Sequence, residues 1–333
     1  MSKTSIERQG GRARCRYTLN GETMGTRYSA QCYAGPDLDR ARLAAALDRA
    51  VQAVDQEMSN WKATSDLTRL NLAEPDVWVP ISANLAMVLV RAIEIGQESG
   101  NAFNVGVGDV VSRWGFGPRE ADAPSATGAL PAQPRPPVGA LLEVDATRGR
   151  ARKRAPLALD LCGIAKGFGV DELGRVMDRH GIESWLVGID GEMRARGTKP
   201  SNACWTIAIE RPDDERREPL SVIEMTDVAI ATSGDYRHWR ECDGQRVSHT
   251  MDPRTGQPLN NGVASVTVLA SCCMDADAYA TALMVLGAED GVALARRKQL
   301  DALFLVRERD GLRAVGTGCF ADGGAGEYLL QGT

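Results

Sequence analysis

Amphipathic helical segments and short β-rich runs are mixed along this chain, and that mixture restricts the possible folds most. Residues 38–59 and 81–98 carry apolar side chains at helical spacing, and the second segment ends before Gly100, which is suited to a helix C-cap. Further helices are predicted over 165–180, 275–286 and 292–298, and β-rich runs over 17–33, 185–187, 205–210, 221–226, 228–232, 264–270, 303–307 and 312–315. Because strands and helices do not alternate as β–α–β units, the pattern favours an α+β fold.

The domain organisation depends on how residues 119–137 are interpreted. This segment contains five prolines and many alanines, which is typical of an exposed loop. Candidate functional motifs lie both before and after it, so we interpret it as an insertion within one domain spanning residues 17–330. Residues 1–16 are predicted to be a flexible N-terminal tail.

Charge and cysteine usage exclude some classes of protein and leave the compartment open. The formal net charge of -5 over 333 residues provides no basic surface for nucleic acid. The N-terminus lacks the apolar core of a signal peptide, and no stretch approaches the 18 apolar residues of a membrane span. Eight cysteines form neither a C-x-x-C pair nor a zinc spacing, which favours free thiols, with one disulfide or redox thiol as the alternative. We therefore expect a cytoplasmic protein, or a periplasmic one if an export signal has been removed.

Two glycine-rich segments could contact a phosphate or a flat ring. Gly21-Glu22-Thr23-Met24-Gly25-Thr26 lies between predicted strands, where bared backbone amides suit an anion, although a simple hairpin turn has the same composition. Residues 103–108 lead to the W-G-F-G sequence at 114–117, an aromatic and glycine cluster that can stack a heterocycle or fill a core.

Two polar segments could supply a cation and a base. Asp160 and Lys166 flank a glycine turn that opens a helix, and helix N-termini with a lysine bind anions; an ordinary strand-to-helix turn is the alternative. His249 lies in the turn-rich segment 248–256, which follows T-S-G-D-Y-R at 232–237. A displayed histidine can serve as a general base near neutral pH, or it can only brace its loop.

A fifth segment, M-D-A-D-A-Y-A-T at 274–281, could hold a metal ion. Asp277 and Thr281 are four residues apart on a predicted helix, so their oxygens share one face. Oxygen ligands among small alanines suit magnesium, which binds few protein oxygens together with substrate phosphates. Capping of the helix N-terminus by Asp275 or Asp277 is the alternative interpretation.

The order and joint presence of these segments are far more specific than any one of them. The chain resembles the ApbE family, the FAD:protein FMN transferases, over roughly residues 20 to 320. The resemblance is carried, in order, by G-E-T-M-G-T-R-Y, M-S-N-W-K-A-T-S-D-L-T-R-L-N, W-G-F-G, L-D-L-C-G-I-A-K-G-F-G-V-D, A-T-S-G-D-Y-R, H-T-M-D-P-R-T-G-Q-P and A-D-A-Y-A-T-A-L. Within the family it looks most similar to the NosX branch. The resemblance implies a single compact α+β domain, related to the T-fold, with mixed sheets, packed helices and FAD in a central cleft.

The resemblance also implies a set of FAD contacts. The matching positions are Met24, Trp61, Ala102, Phe103, Asn104, Asp160, Lys166 and Met251. Trp61 stands where the family usually has a tyrosine that packs on the flavin or adenine. Asn104 replaces the usual aspartate, which removes a negative charge, and Asp190 replaces one of two paired glycines in the loop 188–192.

Magnesium and two catalytic residues complete the implied site. The metal would be held by Asp277, Thr281 and a backbone oxygen near Gly163, with Ala280 as a further candidate. A threonine hydroxyl of the acceptor would attack the FMN-side phosphorus of FAD, and AMP would leave. His249 is the predicted base for that hydroxyl, and Asp277 is the alternative.

The partner implied by the resemblance is an acceptor flavoprotein with a target of the D-G-x-S/T-G-A-T type, such as a membrane-bound component of respiration or nitrous oxide reduction. Hydrolysis of FAD to FMN and AMP remains a second possible activity, because water can use the same geometry. A non-catalytic FAD-binding protein is the third possibility, favoured by Asn104 and Asp190 and opposed by the intact Asp277, Thr281 and His249.

Overall fold

The computed structural model describes residues 6–9, 12–118, 133–213, 218–242, 244–309 and 311–321. Its helices are α1 Arg40–Met58, α2 Asp66–Leu72, α3 Ala83–Glu98, α4 Gly108–Arg113, α5 Val138–Leu141, α6 Ala165–Arg179 and α7 Cys273–Arg297. Its strands are β1 Ile6–Gln9, β2 Arg12–Thr23, β3 Thr26–Ala34, β4 Val79–Pro80, β5 Leu142–Asp145, β6 Arg150–Lys153, β7 Trp185–Ile189, β8 Glu192–Arg196, β9 Trp205–Glu210, β10 Pro219–Met225, β11 Ala229–Gly234, β12 Trp239–Cys242, β13 Gln245–Ser248, β14 Met251–Asp252, β15 Gln257–Pro258, β16 Val263–Ala270, β17 Asp301–Glu308 and β18 Gly311–Thr317.

A nine-stranded sheet organises the fold, in the order β1-β2-β3-β7-β8-β11-β16-β17-β18. Three shorter two-stranded pairs, β10-β9, β12-β13 and β14-β15, and a three-stranded β4-β6-β5 sheet surround it. Every strand pair within the described residues is antiparallel, so these sheets are not of mixed direction. Together with the helices, this arrangement confirms the α+β prediction.

The two faces of the large sheet are covered by different elements. Successive strand residues point to opposite faces, and on β17 Phe304 packs in the helical core with α3 and α7 while Leu303 and Leu305 pack on the other side. A second helical cluster, which includes Leu47 of α1 and Leu173 of α6, fills the space beneath β2, β3 and β7. The β9–β10 hairpin covers the opposite face.

The helix starts follow capping rules that the sequence carries locally. Asp39, Ser65 and Ser82 each accept a hydrogen bond from the backbone N–H three residues later, at the N-termini of α1, α2 and α3. The N-terminus of α7 differs, because Cys272 provides no side-chain cap. Asp171 of α6 accepts from the backbone N–H groups of Cys273 and Met274, both at 3.0 Å, so one helix caps another.

The predicted division between residues 286 and 292 appears as a kink. Helix α7 runs through both predicted segments, but Gly287 has φ of 83° and breaks the helical geometry there. An 18-residue window of α7 is apolar enough to cross a membrane by composition alone, yet 67% of that window is buried inside the fold. This helix therefore packs in the core of the domain.

The prediction of a flexible N-terminal tail over residues 1–16 is wrong for part of that segment. Residues 6–9 and 12–16 belong to β1 and β2, and β2 pairs with β3 from Cys15 to Thr23. Cys15 is buried whereas Arg16 is exposed, as expected for neighbouring residues on opposite faces of a strand. The other predicted boundary, the proline-rich segment, lies mostly outside the described residues, which resume at residue 133.

Candidate active site

One cavity of about 680 Å³ collects most of the predicted site residues. This volume lies within the range of small-molecule sites. Its walls come from residues 102–116 and 160–285, on both sides of the proline-rich segment. The predicted site residues in its lining are Ala102, Phe103, Asn104, Asp160, Gly163, Lys166, His249, Met251, Asp277 and Thr281.

Three predicted residues lie outside this lining. Met24 occupies the tight turn between β2 and β3 with φ of 46°, and its side chain reaches α6 at Gly169. Trp61 is 68% exposed on the surface. Ala280 is fully buried within α7.

Asp277 and Lys166 are brought together by the close packing of α6 on α7. Asp277 Oδ2 accepts a hydrogen bond of 3.0 Å from the backbone N–H of Gly167. Any side chain at position 167 would meet α7, since a Cβ there would lie 2.8 Å from the Cβ of Asp277. Glycine in the A-K-G sequence therefore permits this approach.

Lys166 is held by two carboxylates that follow the β7–β8 turn. Its Nζ lies 2.7 Å from Glu192 Oε1 and 3.6 Å from Asp190 Oδ2. Burial acts to lower the pKa of Lys166, but the charges of Glu192, Asp277 and Asp190 outweigh it and raise that pKa above its usual value. The lysine therefore stays cationic in the cavity wall.

Asp277 is a buried carboxylate, 4% exposed, in a strongly charged environment. Burial, followed by the charge of Glu192, raises its pKa to about 7, against the opposing effects of Lys166 and the Gly167 N–H. Thr281 lies one turn later, and its hydroxyl is 3.0 Å from Ser233 Oγ. A Cβ on Gly163 would lie 2.9 Å from Thr281 Oγ1, so this backbone also faces the hydroxyl.

These oxygens form a ligand set that suits magnesium better than a transition metal. No group of three or more His, Cys, Asp or Glu side chains that could hold a metal ion occurs in the part of the chain that the structure describes. One carboxylate and one hydroxyl leave most coordination positions to other ligands, and Mg²⁺ usually binds few protein oxygens in this way. The lining contains six carboxylates, from Asp160, Asp190, Glu192, Glu210, Glu218 and Asp277, against two cations, from Lys166 and Arg237. The lining therefore carries more acidic than basic side chains, which favours the binding of a cation.

One ring nitrogen of His249, Nδ1, is engaged in a hydrogen bond. Its Nδ1 lies 2.9 Å from the carbonyl oxygen of His238, and because a carbonyl can only accept, Nδ1 carries the proton. The neutral ring therefore has its lone pair on Nε2. The ring also stands edge-on to Phe116, with ring centres 6.3 Å apart, and to the His238 ring at 5.4 Å.

The pKa of His249 also favours the neutral form. Burial lowers the pKa of this imidazole to about 4, and the charges of His238 and Lys166 lower it further. The hydrogen bond to the His238 carbonyl and the charge of Asp235 raise the pKa, but they offset only part of the burial effect. The imidazole is therefore neutral at pH 7, with Nε2 unprotonated.

Asn104 has a structural explanation that its sequence position does not reveal. Its amide nitrogen donates to Asn101 Oδ1 at 2.8 Å and to the Pro136 carbonyl at 2.9 Å, and its oxygen accepts from Gly106 N at 2.7 Å. An aspartate could not make the two donor contacts. Asn104 therefore ties residues 133–137 to the cavity wall.

Asp160 is fixed by its own turn and by the segment that carries Trp61. Its Oδ1 accepts from Cys162 N at 2.8 Å, and its Oδ2 accepts from Asn60 Nδ2 at 3.0 Å. Asn60 thus connects exposed Trp61 to the cavity wall. Sequence reasoning assigned no role to Asn60 or to Glu192, since their partners are distant in sequence.

Glu192 is the least expected polar group in the site. The residue is 3% exposed, and its Oε2 is buried with no hydrogen-bond partner among the residues that the structure describes. Its Oε1 holds Lys166. The only sequence signal was an acidic residue directly after the D-G turn at 190–191.

Comparison with known proteins gives a consistent result. A sequence profile of the ApbE family matches residues 24–304. An FAD:protein FMN transferase of Vibrio cholerae is 38% identical over 305 residues, covering 91% of each chain. One from Escherichia coli K12 is 33% identical over 313 residues, covering 89% of this chain and 85% of the relative.

Solved structures agree with the sequence comparisons. The flavin transferase ApbE from Vibrio cholerae superposes with a TM-score of 0.80 at 36% identity, covering 91% of this chain and 97% of that one. The apo form of the Pseudomonas stutzeri flavinyl transferase ApbE gives a TM-score of 0.79 at 31% identity, covering 96% of this chain and 98% of that one.

Proposed function

The chain belongs to the ApbE family and transfers FMN from FAD to an acceptor protein, and we propose that this transfer requires magnesium, ends on a threonine hydroxyl and releases AMP. One observation carries the proposal. Lys166 of α6, His249 of the loop before β14, and Asp277 and Thr281 of α7 come from three separate segments and line the same cavity. Such a group combines a metal-binding carboxylate, a fixed cation and a neutral base.

FAD as substrate would place its pyrophosphate beside Lys166 and Asp277. The cation of Lys166 attracts the phosphate oxygens, and Glu192 fixes the direction of its ammonium group. Magnesium, when bound by Asp277, Thr281 and the Gly163 carbonyl, supplies positive charge to the pyrophosphate oxygens. The aromatic and apolar lining from Phe103 and Phe116 suits the flat rings of the substrate.

The chemical step is a displacement at phosphorus. The acceptor threonine oxygen forms a bond to the FMN-side phosphorus, the bond from that phosphorus to the bridging oxygen breaks, and AMP leaves with the electron pair. His249 Nε2 takes the threonine proton, while the His238 carbonyl holds the ring orientation through Nδ1. Asp277, which is also the proposed ligand of the metal, is the alternative base.

The experiment is a transfer assay with purified components. The protein is mixed with FAD, magnesium and an acceptor domain carrying a target of the D-G-x-S/T-G-A-T type. In-gel flavin fluorescence and a mass increase equal to one FMN on the acceptor are expected. Release of free FMN without acceptor labelling would instead indicate hydrolysis, and chelation of magnesium with EDTA should abolish labelling.

A further inference from the structure

Strand β9 has an open edge. It pairs only with β10, in a two-stranded sheet separate from the large one. The backbone of 205–210 has no hydrogen-bond partner beyond β10 in the described part of the chain. A strand edge with unpaired N–H and C=O groups is a template on which another extended chain can pair.

This open edge borders the active-site cavity. Ile207, Ala208, Ile209 and Glu210 all line it. Neighbouring residues on a strand point to opposite faces, so a cavity that meets four in succession lies along the edge of the strand. The partner strand β10 contributes only its first residue, Pro219, to the lining.

The hairpin is held firmly enough to present this edge. Ile207 and Ile209 are buried and pack with Ile230 on the face of the large sheet opposite the helices. Glu210, at the end of β9, pairs with Arg237. Ala208 points to the other face, where its small side chain leaves space beside the cavity.

We propose that the acceptor protein binds by adding an extended segment to the edge of β9, so that its hydroxyl-bearing residue enters the cavity. This inference rests on the proposed function, because the acceptor hydroxyl must reach a phosphate beside Asp277 and Thr281. The edge of β9 continues directly into that cavity. Strand addition supplies affinity through main-chain hydrogen bonds and directs alternate side chains to one side.

The partner that fits is an extended segment that carries a serine or threonine. Backbone pairing with β9 does not require a particular flanking sequence. The edge therefore sets the depth and direction of the acceptor hydroxyl, whereas His249 and Asp277 act on the reacting atoms.

Hydrogen exchange tests this docking surface directly. The probe is an acceptor domain of the D-G-x-S/T-G-A-T type with its target threonine changed to valine, so that it binds without reacting. With FAD and magnesium present, exchange at amides in 205–210 should slow by about tenfold or more on adding this domain. Strand β18, Gly311–Thr317, is the internal control, because it ends the large sheet and contributes no residue to the cavity lining.

A matched pair of variants provides a second test. Ala208 and Val222 are register partners on β9 and β10, so they share one face of the hairpin, but only Ala208 lines the cavity. With FAD saturating for each variant, Ala208→Arg should raise the KM for the unmodified acceptor by about tenfold or more. Val222→Arg adds the same charge and bulk away from the cavity and should leave this KM unchanged.

The possible results separate this inference from the proposed function. In one outcome the wild-type protein transfers FMN, amide hydrogen exchange in β9 does not slow, and both arginine variants have equal KM values for the acceptor. The inference that the acceptor binds at β9 is then wrong, and the proposed function stands. If β9 is protected without acceptor in proportion to protein concentration, a second copy of the chain occupies the edge, which also overturns the inference. If no acceptor gains FMN, the proposed function fails and this inference fails with it.

Discussion

The backbone N–H of Gly167 donates a hydrogen bond of 3.0 Å to Asp277 Oδ2, which joins the first turn of α6 to the second turn of α7. The bond satisfies an N–H that a helix leaves free at its N-terminus. It also fixes the Asp277 carboxylate through one of its two oxygens, Oδ2. The direction of the carboxylate in the cavity wall is therefore set by the start of α6.

Replacing Asp277 with asparagine should separate charge from shape. Asp277→Asn can keep the contact with Gly167 but loses the anionic ligand, so magnesium and FAD should both bind more weakly. We expect FMN transfer at limiting magnesium to fall on the order of 10²-fold, with partial recovery at high magnesium. Titrating FAD binding against magnesium measures this. Transfer at the wild-type rate under limiting magnesium would show that Asp277 is not a ligand.

Replacing His249 tests its proposed role as a base. His249→Ala should lower the single-turnover rate of transfer by about 10²–10⁴-fold, while FAD affinity stays nearly unchanged because the lysine and metal contacts remain. His180→Ala is the control, since His180 caps the end of α6 outside the cavity lining. If FAD affinity and melting temperature fall together with the rate, His249 braces its loop instead.

The pH dependence of transfer should reflect the low pKa of His249. The base must be neutral, and burial lowers its pKa from the usual 6.5 to about 4. The neutral form is therefore retained as pH falls through 6.5 and is lost only near pH 4. At saturating magnesium and FAD, the single-turnover rate should stay nearly constant from pH 7.5 to about pH 5. A decline centred near pH 6.5 that does not shift when the magnesium concentration is raised would mean that the ring is not held as described. A decline that shifts with magnesium would instead report protonation of Asp277, whose pKa is raised to about 7.

Local sequence patterns predicted the elements well but not the contacts between them. Helix α1 was expected over 38–59 and occupies Arg40–Met58, because its apolar spacing and the cap at Asp39 are local properties. The sheet position of residues 12–16 was missed because charged residues on the outer face of a strand resemble those of a tail. The ordered motifs also predicted that both halves of the chain would line one cavity, as they do.

The unpredicted parts of the site depend on residues far apart in the chain. Asp171 caps α7 across about a hundred residues, and Asn60 reaches Asp160 across a similar separation. The open edge of β9 is visible only after the strands are assigned to sheets. Neither kind of feature leaves a periodic signal, so sequence reasoning alone could not locate them.

Asp190 should weaken FAD binding in this chain. It occupies a left-handed backbone position, with φ of 57°, where glycine is favoured, and it places a carboxylate 3.6 Å from Lys166. Asp190→Gly removes that competing charge, so FAD should bind about two- to fivefold more tightly at low salt. The effect is small because solvent screens the charge of this half-exposed side chain.

Asp76→Gly is the matched control for this change. Asp76 also has a left-handed backbone, with φ of 61°, and pairs with Arg154, but it lies outside the cavity lining. Isothermal titration of FAD at two salt concentrations compares the variants. Equal FAD affinities for Asp190→Gly, Asp76→Gly and the wild type would show that Asp190 does not compete for the lysine.

The cap that Asp171 provides should make a large contribution to stability. Its buried carboxylate accepts hydrogen bonds from Cys273 N and Met274 N and pairs with Arg194 at 2.7 Å. Without the negative charge, Arg194 loses its ionic partner and the positive N-terminus of α7 loses its anionic cap. Asp171→Asn should lower the free energy of unfolding by about 2–4 kcal/mol. Because α7 begins at this cap and carries Asp277 one turn later, magnesium affinity should fall as well.

Asp39→Asn is the control, because Asp39 caps α1 at the surface and asparagine caps a helix equally well. This change should alter the free energy of unfolding by no more than about 0.5 kcal/mol. Urea unfolding midpoints compare the two variants. The comparison requires that the unfolding free energy has the same slope against urea concentration in both, because a changed slope would indicate a change in the unfolded or native state. The charge and the cap act together at Asp171, whereas only the cap acts at Asp39. Equal midpoints for the two variants would show that α7 does not depend on α6 for its N-terminus, and the position of Asp277 would then have to be set by Gly167 alone.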